Sequence, residues 1–93
     1  MKLIYPACFY PCEAKKGGYT VVVPDLPGCV SEGNSLSEAV NMGIDAACGW
    51  IIDEMKEGNP LPKATDINII KSDDDSVIKL LVLDMDTYTE KDV

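Results

Sequence analysis

Only one stretch of this chain has the period of an α-helix; every other apolar segment reads as extended. Leu36, Val40, Ile44, Ala47, Ile51 and Met55 recur at steps of four, four, three, four and four, a spacing that aligns side chains on one helical face. Ala39, Gly43 and Trp50 widen that stripe on one side, while Glu38, Asn41, Asp45 and Lys56 point the other way. Ser35 and Glu38 form a capping box, each side chain meeting a backbone donor that the first turn leaves unpaired. Gly58 suits the position after the last turn, and Pro60 and Pro62 forbid continuation. The helix should therefore run for about 22 residues with one buried face. A chain with a single helix must build the rest of its core from strands.

The strands are marked by β-branched and aromatic residues between turn signals. Residues 1–10, MKLIYPACFY, contain no acid and are extended in character. Pro11 to Gly18 reads as a hairpin connection, with Gly17 and Gly18 free to take positive φ. Residues 19–23 form the clearest strand, which Pro24 ends. Pro27 and Gly28 fit the second and third positions of a type II turn, and residues 29–32 follow as a short strand. After the helix, residues 59–75 are loop-like. Ile67, Ile69 and Ile70 add a brief extended piece there, and Asp73-Asp74-Asp75 forms a solvated turn. Residues 77–83 make the last strand. The resulting order, β-β-β-α-β, predicts an α+β domain with the helix packed on one face of a four-stranded sheet. Three successive strands favour an antiparallel meander, and a helical crossover before the fourth favours parallel pairing.

Such a sheet, covered by one helix, should alternate apolar and polar residues. It does not. Leu3, Tyr5, Ala7 and Phe9 share one side of the first strand, yet Ile4, Cys8 and Tyr10 share the other. In the last strand Ile78, Leu80 and Val82 oppose Val77, Leu81, Leu83 and Met85, with Lys79 the only charged interruption. Leaving such side chains wet forgoes about 1.5–3 kcal/mol each and exposes a patch larger than monomers usually carry. Either residues 59–75 fold across the second face, or another chain covers it, a copy of this one or a different protein.

The 93 residues carry a net charge of −8 and contain no histidine and no arginine. That excludes a histidine base, imidazole metal ligands and an arginine finger, and disfavours nucleic acid, whose phosphates need clustered cations. No phosphate-cradling glycine motif, EF-hand spacing or metal cluster of acids is present. Cys8, Cys12, Cys29 and Cys48 are separated by three, sixteen and eighteen residues. Only the first gap is short, and four extended residues span ~13 Å, too far for one metal ion unless Pro11 folds the chain back. Buried or incidental thiols are the expected state, ahead of disulfides or zinc. No leader or spanning segment is evident, so a cytoplasmic protein without a membrane partner is expected. The strand order is also the front half of the ribonuclease H topology. The metal-holding carboxylates of that nuclease fold are missing from residues 2–10, which argues against metal-dependent chemistry.

Tyr5-Pro6-Ala7, the stretch GYTVVVPDLPGCVSEGNS from Gly18 to Ser35, and the helix start Leu36-Ser37-Glu38-Ala39 together resemble the HicB-like antitoxin family. Gly58-x-Pro-x-Pro and the aliphatic strand ending in Asp86-x-Tyr88 also fit, so the resemblance covers about residues 3–88, and the Pro-Asp-Leu-Pro-Gly-Cys run is its most specific part. It implies a partial, catalytically empty ribonuclease H-like domain over residues 1–88, with a polar tail at 89–93. It also implies an antitoxin that binds and masks a HicA-type toxin, a small basic ribonuclease that cuts messenger RNA. No catalytic residue, metal or cofactor is expected, nor direct nucleic-acid binding. Asp25, Leu26, Pro27 and Gly28 are the residues expected to touch the partner. Tyr19, Cys29, Gly33, Ser35 and Glu38 are expected to be structural. Many relatives continue past this point into a DNA-binding domain; the chain reaches Val93, and no such domain is expected within it. Two other functions stand beside this one. The first is an orphan HicB-like domain, a homo-oligomer (dimer or tetramer) with a regulatory or ligand-binding role and no toxin. The other is an enzyme with a degenerate nuclease fold.

Overall fold

The structure, a computed structural model, describes residues 1–70 and 75–87. Strands β1 (Lys2–Pro11), β2 (Tyr19–Val22) and β3 (Val30–Gly33) precede the helix α1 (Leu36–Lys56), and β4 (Val77–Asp84) follows it. The α+β architecture and the element order agree with the sequence reading. The sheet order is β3-β2-β1-β4, so the longest strand is central. The hairpin between β1 and β2 closes through the Cys12 amide, which donates to the Gly18 carbonyl at 2.9 Å. Of its two glycines only Gly17 takes positive φ, at 84°.

The parallel pairing expected for the last strand is wrong. β4 runs antiparallel to β1, with Val77 opposite Phe9 and Asp84 opposite Lys2. The reason lies in the length of the connection. The helix starts at the end of the sheet where Pro11, Tyr19 and Gly33 lie side by side and extends for 21 residues, about 31 Å. A short link would start β4 at the far end. Residues 57–76 instead provide 20 residues, up to ~66 Å of chain, enough to return along the whole helix. The return is pinned on the helix side of the sheet: Leu61 packs on the core, and the Tyr5 hydroxyl donates to the Pro62 carbonyl at 2.6 Å.

Of the three isoleucines of this segment, Ile70 is extended, and Ile67 and Ile69 are not. Ile67–Ile69 form one 3₁₀ turn, capped by the Asp66 carboxylate accepting from the Asn68 amide at 2.9 Å. Within the acidic triplet Asp75 is exposed, and Asp73 and Asp74 lie outside the described residues. The same holds for Tyr88 and the tail at 89–93.

The core lies between the helix and one side of the sheet. Tyr5, Ala7 and Phe9 from β1, Val21 from β2, and Leu81 and Leu83 from β4 are buried there against Ala39, Ala47 and Ile51. Small residues let the helix settle close. A Cβ on Gly43 would stand 3.2 Å from Val21 Cγ2 and 3.4 Å from Leu81 Cδ1. The buried stripe is not the straight one read from the period. Leu36, Val40 and Ile44 are only half-buried, Met55 is exposed, and Cys48 and Ile52 are buried. Cys48 and Ile52 stand seven residues beyond Asn41 and Asp45, the same side two turns later. The polar side of the first half thus becomes a buried side in the second. It is covered from the end of β4, where Met85 is buried and Asp84 is close enough to act on the Cys48 thiol.

Candidate protein-binding site

The link between β2 and β3 folds as nested turns. Val23 donates to the Cys29 carbonyl at 3.1 Å, Leu26 to Val23 at 3.0 Å, and Cys29 to Leu26 at 2.9 Å. The last of these closes the turn at Pro27-Gly28, with Gly28 at φ 81°, as a type II turn requires. Among the described residues no heavy atom lies within 4 Å of a Cβ placed on Gly28, so the glycine answers to backbone conformation rather than to space.

These turns sort the four expected contact residues into two kinds. Leu26 is 0% exposed and sits in the core. The Asp25 carboxylate accepts from the Thr65 amide at 2.8 Å and from the Thr65 hydroxyl, tying the returning chain to the loop. Pro27 and Gly28 are exposed, and they form the tip that another molecule can reach. The five motif residues expected to be structural lie at the start of β2, in these turns and at the entry to the helix. Tyr19 is half-buried against the core, and Cys29 is buried, which pushes its thiol pKa up. Ser35 Oγ accepts from the Glu38 amide at 3.1 Å. The Glu38 carboxylate reaches back to the Asn34 amide at 3.0 Å, one residue earlier than the cap itself. The fifth, Gly33, is buried where β3 meets the helix.

The tip has a companion that the sequence reading assigned to the core. Trp50 is only half-buried, and its indole N–H donates to the Pro27 carbonyl at 2.9 Å. Asp53, Glu54 and Glu57 follow it at steps of three, four and seven, one helical face; Asp53 and Glu57 are exposed. The tip, the indole and the carboxylates therefore form an acidic surface with one aromatic anchor, and Trp is the residue type most enriched where binding energy concentrates. The signal was present in the sequence as the chain's one tryptophan beside acids on a helix face.

A second surface lies on the side of the sheet away from the helix. Ile4 opposite Val82, Pro6 opposite Leu80, and Cys8 between Ile78 and Val22 line up apolar side chains that end at Val30 beside Val22; Pro6 and Cys8 at the centre are buried. Ile4, Leu80, Val82 and Val30 are 50%, 52%, 49% and 56% exposed. Residues 61–65 keep to the helix side, as their bonds to Tyr5 and Asp25 show, so they do not cover this band.

The four cysteines are free thiols, three of them buried and Cys12 half-buried. Burial raises the pKa of Cys29 and Cys48, the latter also through Asp45 and Asp84, which suppresses the nucleophilic thiolate. Among the described residues no group of three or more Cys, Asp or Glu side chains could hold a metal ion. No helix among them is long and apolar enough to cross a membrane.

Known proteins resemble this chain in both sequence and shape. The model of the HicB-like antitoxin of bacterial toxin-antitoxin systems matches residues 5–93. A 14.9 kDa uncharacterized protein from the rep-hol intergenic region of Haemophilus phage HP1 is 38% identical over 65 residues, 70% of this chain and 47% of that one. The chain thus spans about half the length of that curated relative. Among solved structures, a chain of a toxin-antitoxin complex from Streptococcus pneumoniae superposes with a TM-score of 0.83 at 26% identity, over 95% of this chain and 73% of that one. A chain of a HicA3 and HicB3 toxin-antitoxin complex superposes with a TM-score of 0.66 at 24% identity, over 84% and 94%. With a match running from the tyrosine of Tyr5-Pro6-Ala7 through the Pro-Asp-Leu-Pro-Gly-Cys turn and the helix to Val93, the chain belongs to the HicB-like antitoxin family.

Proposed function

We propose that this chain is an antitoxin that binds a HicA-type, messenger-RNA-cleaving ribonuclease and neutralises it by covering it, in the cytoplasm and without chemistry of its own. The observation that carries the reading is the family match over residues 5–93. A net charge of −8 without histidine or arginine supports it. An acidic protein meets a basic, RNA-binding partner quickly, because complementary charge steers encounter. The toxin contact includes the exposed Pro27-Gly28 tip, with Trp50 and the carboxylates of Asp53 and Glu57 beside it. Asp25 and Leu26 serve that contact from behind, by holding the turn. Direct binding of this chain to nucleic acid plays no part.

The test is co-expression with the product of the adjacent gene. Growth arrest by that product should be relieved by this chain, and the two should copurify. An adjacent product that neither arrests growth nor copurifies would sink the proposal.

A further inference from the structure

We propose, resting on the antitoxin reading, that the Gly28 N–H is offered outward to a main-chain carbonyl of the toxin. Trp50 is the positioning residue for that bond, because it fixes the peptide between Pro27 and Gly28.

The middle peptide of a β-turn has two common orientations. Types I and II share the same φ at the proline and differ by about half a turn of that peptide, which takes the next φ from about −90° to about +80°. Glycine tolerates both signs, so Gly28 by itself leaves the choice open. Here its φ is 81°, and the Pro27 carbonyl accepts from the Trp50 indole N–H at 2.9 Å. In the type I form that carbonyl would swing away from the helix and lose its donor, so the indole holds type II. No peptide bond among the described residues is cis, and in a trans peptide the N–H points opposite to the carbonyl. With the Pro27 oxygen held toward the helix, the Gly28 N–H faces away from it. Among the described residues no acceptor takes this N–H, and Gly28 is exposed.

Space and charge select the acceptor. No heavy atom lies within 4 Å of a Cβ placed on Gly28, and a glycine lets another backbone approach closely. A carboxylate from the partner would come beside Asp53 and Glu57, exposed on the helix face that Trp50 shares. Like charges brought together across an interface cost affinity. A main-chain carbonyl fits the space and carries no net charge.

Gly28 precedes Cys29, so the full chain can be assembled by ligation at that cysteine with glycolic acid in place of Gly28. An ester then replaces the amide N–H, and the ligated chain with the native amide is the reference. Against the product of the adjacent gene, the ester chain should bind about 10-fold more weakly, because the partner's carbonyl is left unpaired. The loss should be equal at low and high salt. Trp50→Phe should weaken capture by the amide chain and cost nothing further in the ester chain, since both changes act on one bond. In the free protein, nuclear magnetic resonance couplings of Gly28 should give a single positive φ in the wild type and an average over both signs in Trp50→Phe. A single positive φ in folded Trp50→Phe overturns the positioning role, and that readout needs neither ligation nor toxin. Binding unchanged by the ester, or an equal cost of Trp50→Phe in both chains, overturns the bond. A loss that shrinks with added salt overturns the uncharged acceptor. All these results leave the antitoxin reading standing; an amide chain that captures no toxin overturns that reading, and the bond with it.

Discussion

Gly33, the last residue of β3, is in backbone contact with Ala39 in the first turn of the helix. A Cβ at Gly33 would stand 2.3 Å from the Ala39 amide nitrogen, so the strand-to-helix connection turns within two residues because no side chain intervenes. The φ of Gly33 is not positive, so space, not conformation, demands the glycine. Gly33→Ala should cost about 3 kcal/mol or more, since backbone rather than a flexible side chain must move. Gly28→Ala meets no neighbour but must hold a left-handed conformation, at about 1–2 kcal/mol. Urea unfolding of the two variants should therefore separate them, with Gly33→Ala the more damaging.

Asp25 holds Thr65 across 40 residues of sequence through two hydrogen bonds from one residue. Asp25→Asn leaves only one acceptor oxygen and should cost about 1.5–3 kcal/mol, the range for a bond to a charged group. Thr65→Val should cost less, because the backbone amide still donates. Amide hydrogen exchange should show the loss concentrated in residues 61–66. Protection there unchanged by Asp25→Asn would contradict the role assigned to the carboxylate.

The thiols should divide three to one. Cys12, half-buried in the hairpin, should react with a small disulfide reagent in the native protein, and Cys8, Cys29 and Cys48 only on unfolding. Burial raises Cys29 and Cys48 above 9.0, and raises Tyr5 above 10.0 with help from Asp25. The folded state therefore keeps these protons longer than the unfolded chain. Their contribution to stability is complete below pH 9 and declines as pH rises from there through the raised values. The midpoint of urea unfolding should fall over that range, and the fall should be shallower in Cys48→Ala.

Trp50→Ala removes the indole that holds the Pro27 carbonyl and the one aromatic of the acidic surface. Toxin affinity should drop by a hot-spot amount, about 2 kcal/mol or near 30-fold, in titration calorimetry. Trp50→Phe, which keeps the ring and loses the N–H, should fall between the two.

Much of this molecule is legible at short range. The Ser35–Glu38 cap and the Pro27-Gly28 turn are made by bonds between residues a few positions apart, and the strand at residues 19–22 pairs only with its sequence neighbours β1 and β3. Their chemistry is therefore written in consecutive letters. The family motif is of this kind too. The direction of β4 is not, because it depends on where a 20-residue return is pinned, and its pins, Tyr5 to Pro62 and Asp25 to Thr65, join residues 57 and 40 apart. Nor is the drift of the helix's buried side, since it depends on where the far end of β4 arrives, beside the Cys48 thiol. The bonds of Asp25 are hidden for the same reason: a carboxylate in an exposed-looking turn has its donor, Thr65, in a distant loop. Periodicity says which side chains share a face. Only the path of the remote chain decides which of those faces is closed, and here residues 61–65 keep to the helix side, with Ile4, Val30, Leu80 and Val82 about half exposed on the other.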